Sequence, residues 1–178
     1  QEQETDAGEI TRDGQLSGKW LPTARDATGS EKITPGDRSQ TRTRTINGDE
    51  VTEYLLVVDP DPQKRITGDL LENVYKQAGE FRTSVGFQFN VQGGRLFHAL
   101  TSRHQPRQGA NYRNRLAIVL NEEIHSAPTI NAVIGATGQI DGNFTEEEID
   151  ELVAVLSAGQ LPCRVTFQTS VKIVNQPE

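Results

Sequence analysis

Five consecutive apolar residues, Leu116-Ala117-Ile118-Val119-Leu120, constrain this chain more than any other feature. The run is strand-sized, follows Arg115 and ends at Asn121, so it reads as a buried strand. Asn121-Glu122-Glu123 is then a turn, although Glu lacks the left-handed tolerance of the glycine usual at such a place. Ile124 starts the return strand, which Pro128 limits. A second unbroken apolar run occupies residues 54–58. Neither run approaches the roughly 18–20 residues that a membrane-crossing helix needs.

The best-defined helix lies downstream. Thr145 is a capping residue with Glu148 three positions on, the two halves of a capping box. Glu146, Glu147 and Glu148 fill the first turn, where the helix dipole favours negative charge. Ile149, Leu152, Val153 and Leu156 form the apolar stripe, and Gly159 with Pro162 provides the stop. Residues 139–141 form a short strand before this helix, and residues 164–174 a strand after it. Upstream, Val85, Phe87 and Phe89 alternate with Gly86 and Gln88 as in a half-buried strand. Asn90 caps a helix running to about residue 102, with Leu96, Phe97 and Leu100 inward. Gly93 and Gly94 in its first turn are poor helix formers and imply that another backbone passes close by. Leu70, Leu71, Val74 and Tyr75, after Thr67-Gly68-Asp69, have the spacing of a short helix ending near Gly79.

The first fifty residues differ in kind. Nine of them are apolar, against 51 of the following 128. Such a segment cannot bury enough surface to offset the entropy of ordering it alone. It is expected as a polar arm, partly disordered or hairpin-forming, with residues 51–178 as the domain proper. Trp20-Leu21-Pro22 is its one docking point. Arg42-Thr43-Arg44-Thr45-Ile46 with Asn47-Gly48 reads as an exposed strand turning into a hairpin with residues 51–58. The expected fold class is therefore α+β: a small mixed or antiparallel sheet on two or three helices, plus the arm.

The formal net charge of −7 argues against nucleic-acid binding and against adsorption to anionic lipid. The lone Cys163 allows no internal disulfide, and the lack of methionine implies a processed chain or a fragment. Histidines occur only at 98, 104 and 125, without the spacing of a metal site. Asp59 and Asp61 sit in a proline-rigid loop with no further ligand nearby. Glu122, Glu123 and His125 read as exposed turn residues, and Glu146–Glu148 splay around a helix start instead of converging on one atom. Asn143-Phe144-Thr145 fits a glycosylation sequon, but Thr145 is needed as the helix cap. No nucleophile elbow, P-loop or dinucleotide fingerprint is present. A non-enzymatic chain without cofactor or metal is expected, leaving only a hydrolase with a dispersed site as the catalytic alternative.

Several motifs in order then become specific. Asn114-Arg115-Leu116-Ala117-Ile118-Val119-Leu120 with Ser126-Ala127-Pro128-Thr129-Ile130 resembles a signature of the SecD subunit of the bacterial Sec protein-export machinery. Gly138-Gln139-Ile140-Asp141-Gly142-Asn143-Phe144-Thr145-Glu146-Glu147 and Ala158-Gly159-Gln160-Leu161-Pro162 are similar to that family's following segments. Ile66-Thr67-Gly68-Asp69-Leu70 matches an upstream element. The likeness covers about residues 54–170, and departs at the Asn121-Glu122-Glu123 turn and in a longer loop at 103–114. It implies the first periplasmic region of an inner-membrane protein, mainly its head, with preprotein as partner. SecF and the SecY complex would be partners of the full-length protein. Nucleic acid and direct membrane contact are not implied. The alternative is a free-standing periplasmic peptide-binding or scaffold module. Preprotein contact is expected at Ile124, Ala127, Pro128, Ile130 and Phe144, each of which can also be plain core.

Overall fold

The computed structural model describes residues 2–5, 7–26, 28–33, 36, 39–46, 48–79, 83–106, 112–140, 144–157 and, as backbone, 164–168. The apolar run forms β9 (Arg115–Leu120), and its side chains divide between two cores. Leu116 and Ile118 join Phe87, Phe89, Phe97, Ile149 and Leu152 in the first. Ala117 and Val119 join Leu21, Ile33, Tyr54, Leu56 and Ile124 in the second. Side chains alternate across a strand, so a strand with a core on each face has no position left for a polar residue. That is why the run is unbroken.

Twelve strands and two helices are described. Before β9 come β1 (Glu2–Glu4), β2 (Glu9–Arg12), β3 (Gln15–Pro22), β4 (Thr41–Ile46), β5 (Asp49–Val57), β6 (Ile66–Thr67), β7 (Leu71–Ala78), β8 (Thr83–Phe89) and helix α1 (Val91–His104). After it come β10 (Glu123–Ser126), β11 (Thr137–Ile140), α2 (Glu146–Ser157) and β12 (Arg164–Gln168). The larger sheet runs β1-β2-β3-β5-β12-β9-β10, with β4 on β5 and β6 on β12. A parallel bridge from Thr23 to Ile124 returns the tail of β3 to β10, closing a ring of strands around the second core. The smaller sheet, β11-β8-β7, is antiparallel and carries both helices against its Val85, Phe87 and Phe89 face. The fold is α+β, mostly antiparallel, with two helices.

Local chemistry explains the elements. The Asn90 side chain accepts from the Gly93 amide at 2.8 Å and starts α1. A Cβ at Gly94 would stand 2.9 Å from Ala136 Cα, so the expected close backbone is there. The Phe89 amide bonds the Ala136 carbonyl at 2.7 Å, fixing that approach. At α2 the Thr145 amide donates to Glu148 Oε2 at 2.8 Å and the Glu148 amide to Thr145 Oγ1 at 3.2 Å, completing the capping box. Gly159 and Pro162 lie outside the described residues, as do residues 169–174 of the expected last strand.

The stretch 70–75 differs from its sequence reading. It is a 3-10 turn at Gly68–Leu70 followed by the edge strand β7. A bulge between Leu71 and Asn73 inserts one residue, so Leu71 and Val74, three apart, both pack on the first core. The bulge thus imitates helical spacing. The hairpin tip is also unusual: Asn121 (φ 51°) and Glu122 (φ 64°) both adopt the left-handed conformation without a glycine, and Glu122 pairs with Lys19.

The polar first fifty residues contribute β1 to β4. Arg42 organises them. It bonds the buried Glu53 carboxylate at 2.6 Å, pairs with Glu4, and lies 4.6 Å over the Trp20 ring. A buried carboxylate needs such partners. Leu21 enters the second core from the expected docking point.

Gly94→Ala tests the close approach between α1 and Ala136. Alanine gains about 1 kcal/mol of helix propensity, whereas overpacking against fixed backbone costs about 1–3 kcal/mol. Net destabilisation by urea unfolding is expected; a more stable variant would show that the two segments are not held together.

Candidate functional site

A cleft of about 530 Å³ opens where the β9–β10 hairpin, helix α2 and the segment around residue 32 meet. The chain after β10 makes its floor. The Leu116 amide donates to the Pro128 carbonyl at 2.8 Å and the Ile130 amide to the Asn114 carbonyl at 2.9 Å. Arg115 Nε donates to the Ala127 carbonyl at 2.7 Å. Burial lowers the proton affinity of the Arg115 guanidinium below the usual arginine value.

Three of the five sequence-expected contact residues come together here. Ala127, Pro128 and Phe144 line the cleft, with Ile33 and Leu152 as further apolar walls. Ile124 and Ile130 do not. Ile124 is 1% exposed in the second core and Ile130 is 3% exposed in the first. Phe144 precedes the Thr145 cap and also packs on the first core, which fixes the angle at which the chain enters α2.

The polar wall was not legible as a site. Ile124 pairs with Val119 and Ser126 with Ile118, so His125 is the extra residue of a bulge. Bulges re-aim side chains, and this one takes His125 away from the exposed turn position expected of it. Its side chain is 13% exposed, with Nδ1 3.4 Å from Glu151 Oε1. Nδ1 is buried there and makes no hydrogen bond. Glu151 also receives a hydrogen bond from Lys32. That bond, reinforced by the charges of Lys32 and His125, holds the Glu151 carboxyl below its ordinary value. Glu148, beside it, is occupied in capping. No signal in sequence links positions 32, 125 and 151.

Lys32 pairs with Glu151, Arg115 Nε with the Ala127 carbonyl and Glu148 with the Thr145 amide, and among the described residues no cluster of three metal-ligating side chains occurs. Asp59 and Asp61 instead close tight turns, each accepting a backbone amide at 3.0 Å. No described helix is long and apolar enough to cross a membrane.

Residues 40–163, which hold β9, β10 and α2, match the family model described as SecDF, P1 head subdomain. The chain belongs to the SecDF P1 head family. It is similar to the protein translocase subunit SecD of Rickettsia conorii, 46% identical over 123 residues, covering 66% of this chain and 22% of that protein. The SecD subunit of Calditerrivibrio nitroreducens is 35% identical over 123 residues, with the same shares of the two chains. The chain therefore spans about a fifth of the length of these curated relatives. A solved structure described as a membrane component SecDF that enhances protein export is 29% identical, covers 66% of this chain and 49% of that one, and superposes with a TM-score of 0.41. This SecDF head fold presents its cleft on the hairpin and helix that the family match contains.

The Lys32–Glu151 pair predicts a pH dependence. A carboxyl with a lowered folded-state pKa contributes stability above its unfolded value, and loses it as pH falls through the folded value. Glu151 is partly exposed, so Glu151→Gln should destabilise by only about 0.5 kcal/mol at neutral pH. That difference should vanish in urea titrations once the pH has fallen through the lowered folded-state value. A difference independent of pH would show that the charge of Glu151 contributes nothing.

Proposed function

We propose that this chain works as the periplasmic head of a SecD-type subunit of an inner-membrane protein translocase, and that it binds preprotein in the cleft between the hairpin and α2. The single observation supporting the site is the convergence of Ala127, Pro128 and Phe144, with Ile33 and Leu152, on one open cleft whose remaining walls are polar. Binding that must accept many sequences suits shallow apolar contact with few directional groups. Lys32 and Glu151 pair with each other and so add no strong unpaired charge to select against particular segments. Ile124 and Ile130 act on this reading as supports of the cleft floor. The work of export, including its coupling to the proton-motive force and to SecF and the SecY complex, belongs to the whole subunit; the head supplies a grip.

Site-specific photocrosslinking to an arrested preprotein, in the full-length subunit, tests this. Probes replacing Pro128 and Phe144 should capture preprotein, whereas probes at the exposed positions Asn73 and Gln77 of β7 should not. Capture at the β7 positions alone would contradict the assignment of the cleft.

A further inference from the structure

The ring of strands around the second core is closed weakly at one seam. β10 pairs with β9 along one edge, while its other edge meets the segment leaving β3. At that seam stand the isolated parallel bridge between Thr23 and Ile124 and a 2.9 Å bond from the Ala24 amide to the Ile124 carbonyl. Both buried side-chain polar atoms found without a hydrogen-bond partner among the described residues lie here: Thr23 Oγ1 on one side and His125 Nδ1 on the other. Buried polar groups are normally satisfied, because an orphan carries its full desolvation cost. With a single backbone bridge between them, the two orphans mark this junction as loosely made.

We infer that residues 23–26 and 28–33 form a displaceable strap over the free edge of β10, and that an extended polypeptide segment takes the strap's place there by strand addition. The strap is fastened from its far end. Ile33 is buried in the second core, its carbonyl accepts from the Tyr54 hydroxyl at 3.2 Å, and Lys32 pairs with Glu151 on α2. The intervening turn is held by its own bonds: the amides of Thr28 and Ser30 donate to Asp26 Oδ1 at 2.8 and 2.9 Å. The strap can therefore leave as a unit. Residues 40–163, matched to the head family, contain β10 and α2 but not the strap, so it overlies an edge belonging to the head itself. Leaving, it would uncover the backbone groups of Glu123–Ser126 together with Ile124 and Ala127. An exposed strand edge beside apolar side chains recognises extended chain by main-chain bonding, with little demand on sequence. The occupant is thus an unfolded polypeptide, which rests on the proposed function.

Hydrogen exchange and probe binding on the intact chain test this. The Ala24 amide should exchange faster than the amides of β9, because it opens locally. Lys32→Glu, which sets like charges together at the fastening, should speed Ala24 exchange by about fivefold and leave β9 unchanged. It should also tighten binding of a permanently unfolded, carboxymethylated protein by a similar factor, since more molecules are open. Adding Glu151→Lys to this variant should restore both values, which a generally destabilised protein would not do. Ala24 exchanging only as slowly as β9 in the wild-type and Lys32→Glu proteins would overturn the strap. Faster Ala24 exchange with unchanged probe affinity would overturn strand addition at β10 while leaving the cleft reading intact. Absence of probe binding in every form would overturn the proposed function and the strap's occupant together.

Discussion

One strand has to satisfy two cores at once, and the rest of the molecule is arranged around that requirement. β9 sends Leu116 and Ile118 to one side and Ala117 and Val119 to the other. Truncating a buried residue such as Ile118 to alanine costs about 2–5 kcal/mol, a large part of the marginal stability of a domain. Small Ala117 lies opposite the bulk of Ile118, and its face is filled instead by Tyr54, Leu56 and Leu21 from the closing strands. Neither core is therefore independent. A disturbance in the helical layer reaches the ring of strands through a single backbone.

The cleft follows from the same arrangement. It opens where the hairpin leaving β9 stops pairing and the chain turns along the start of that strand toward the helices. The bulge at His125 lies at this departure, and converts a hairpin residue into part of a charged wall with Lys32 and Glu151. Open space remains there because hairpin, strap and α2 converge without filling it, leaving Pro128 and Phe144 half-buried.

What the sequence revealed follows the same physics. The unbroken run, the capping box and Gly94 against the Ala136 backbone are local signals that the structure realises, whereas Gly93 meets the side chains of Leu70 and Phe89. The resemblance to SecD was legible for a similar reason, since its motifs lie on these strongly specified elements. Failures occurred where an irregularity overrode periodicity. A bulge gave Leu71 and Val74 the spacing of a helix, and another hid the direction of His125. The hairpin of residues 42–46 with 51–58 is realised as β4 on β5, whereas the pairing of β3 with β5 and of Arg42 with the buried Glu53 was not visible from composition. Of the five expected contacts, Ile124 and Ile130 are buried in the two cores and do not reach the cleft, whereas Ala127, Pro128 and Phe144 line it.

The central claim is that this head domain grips unfolded chain at the hairpin–α2 junction. Amide chemical-shift mapping of the isotopically labelled chain, titrated with a permanently unfolded protein, reads that claim directly. The account predicts shifts confined to residues 124–130, 144–152 and the strap. Shifts centred on the outer face of β7 and β8, with the hairpin and α2 unmoved, would contradict it.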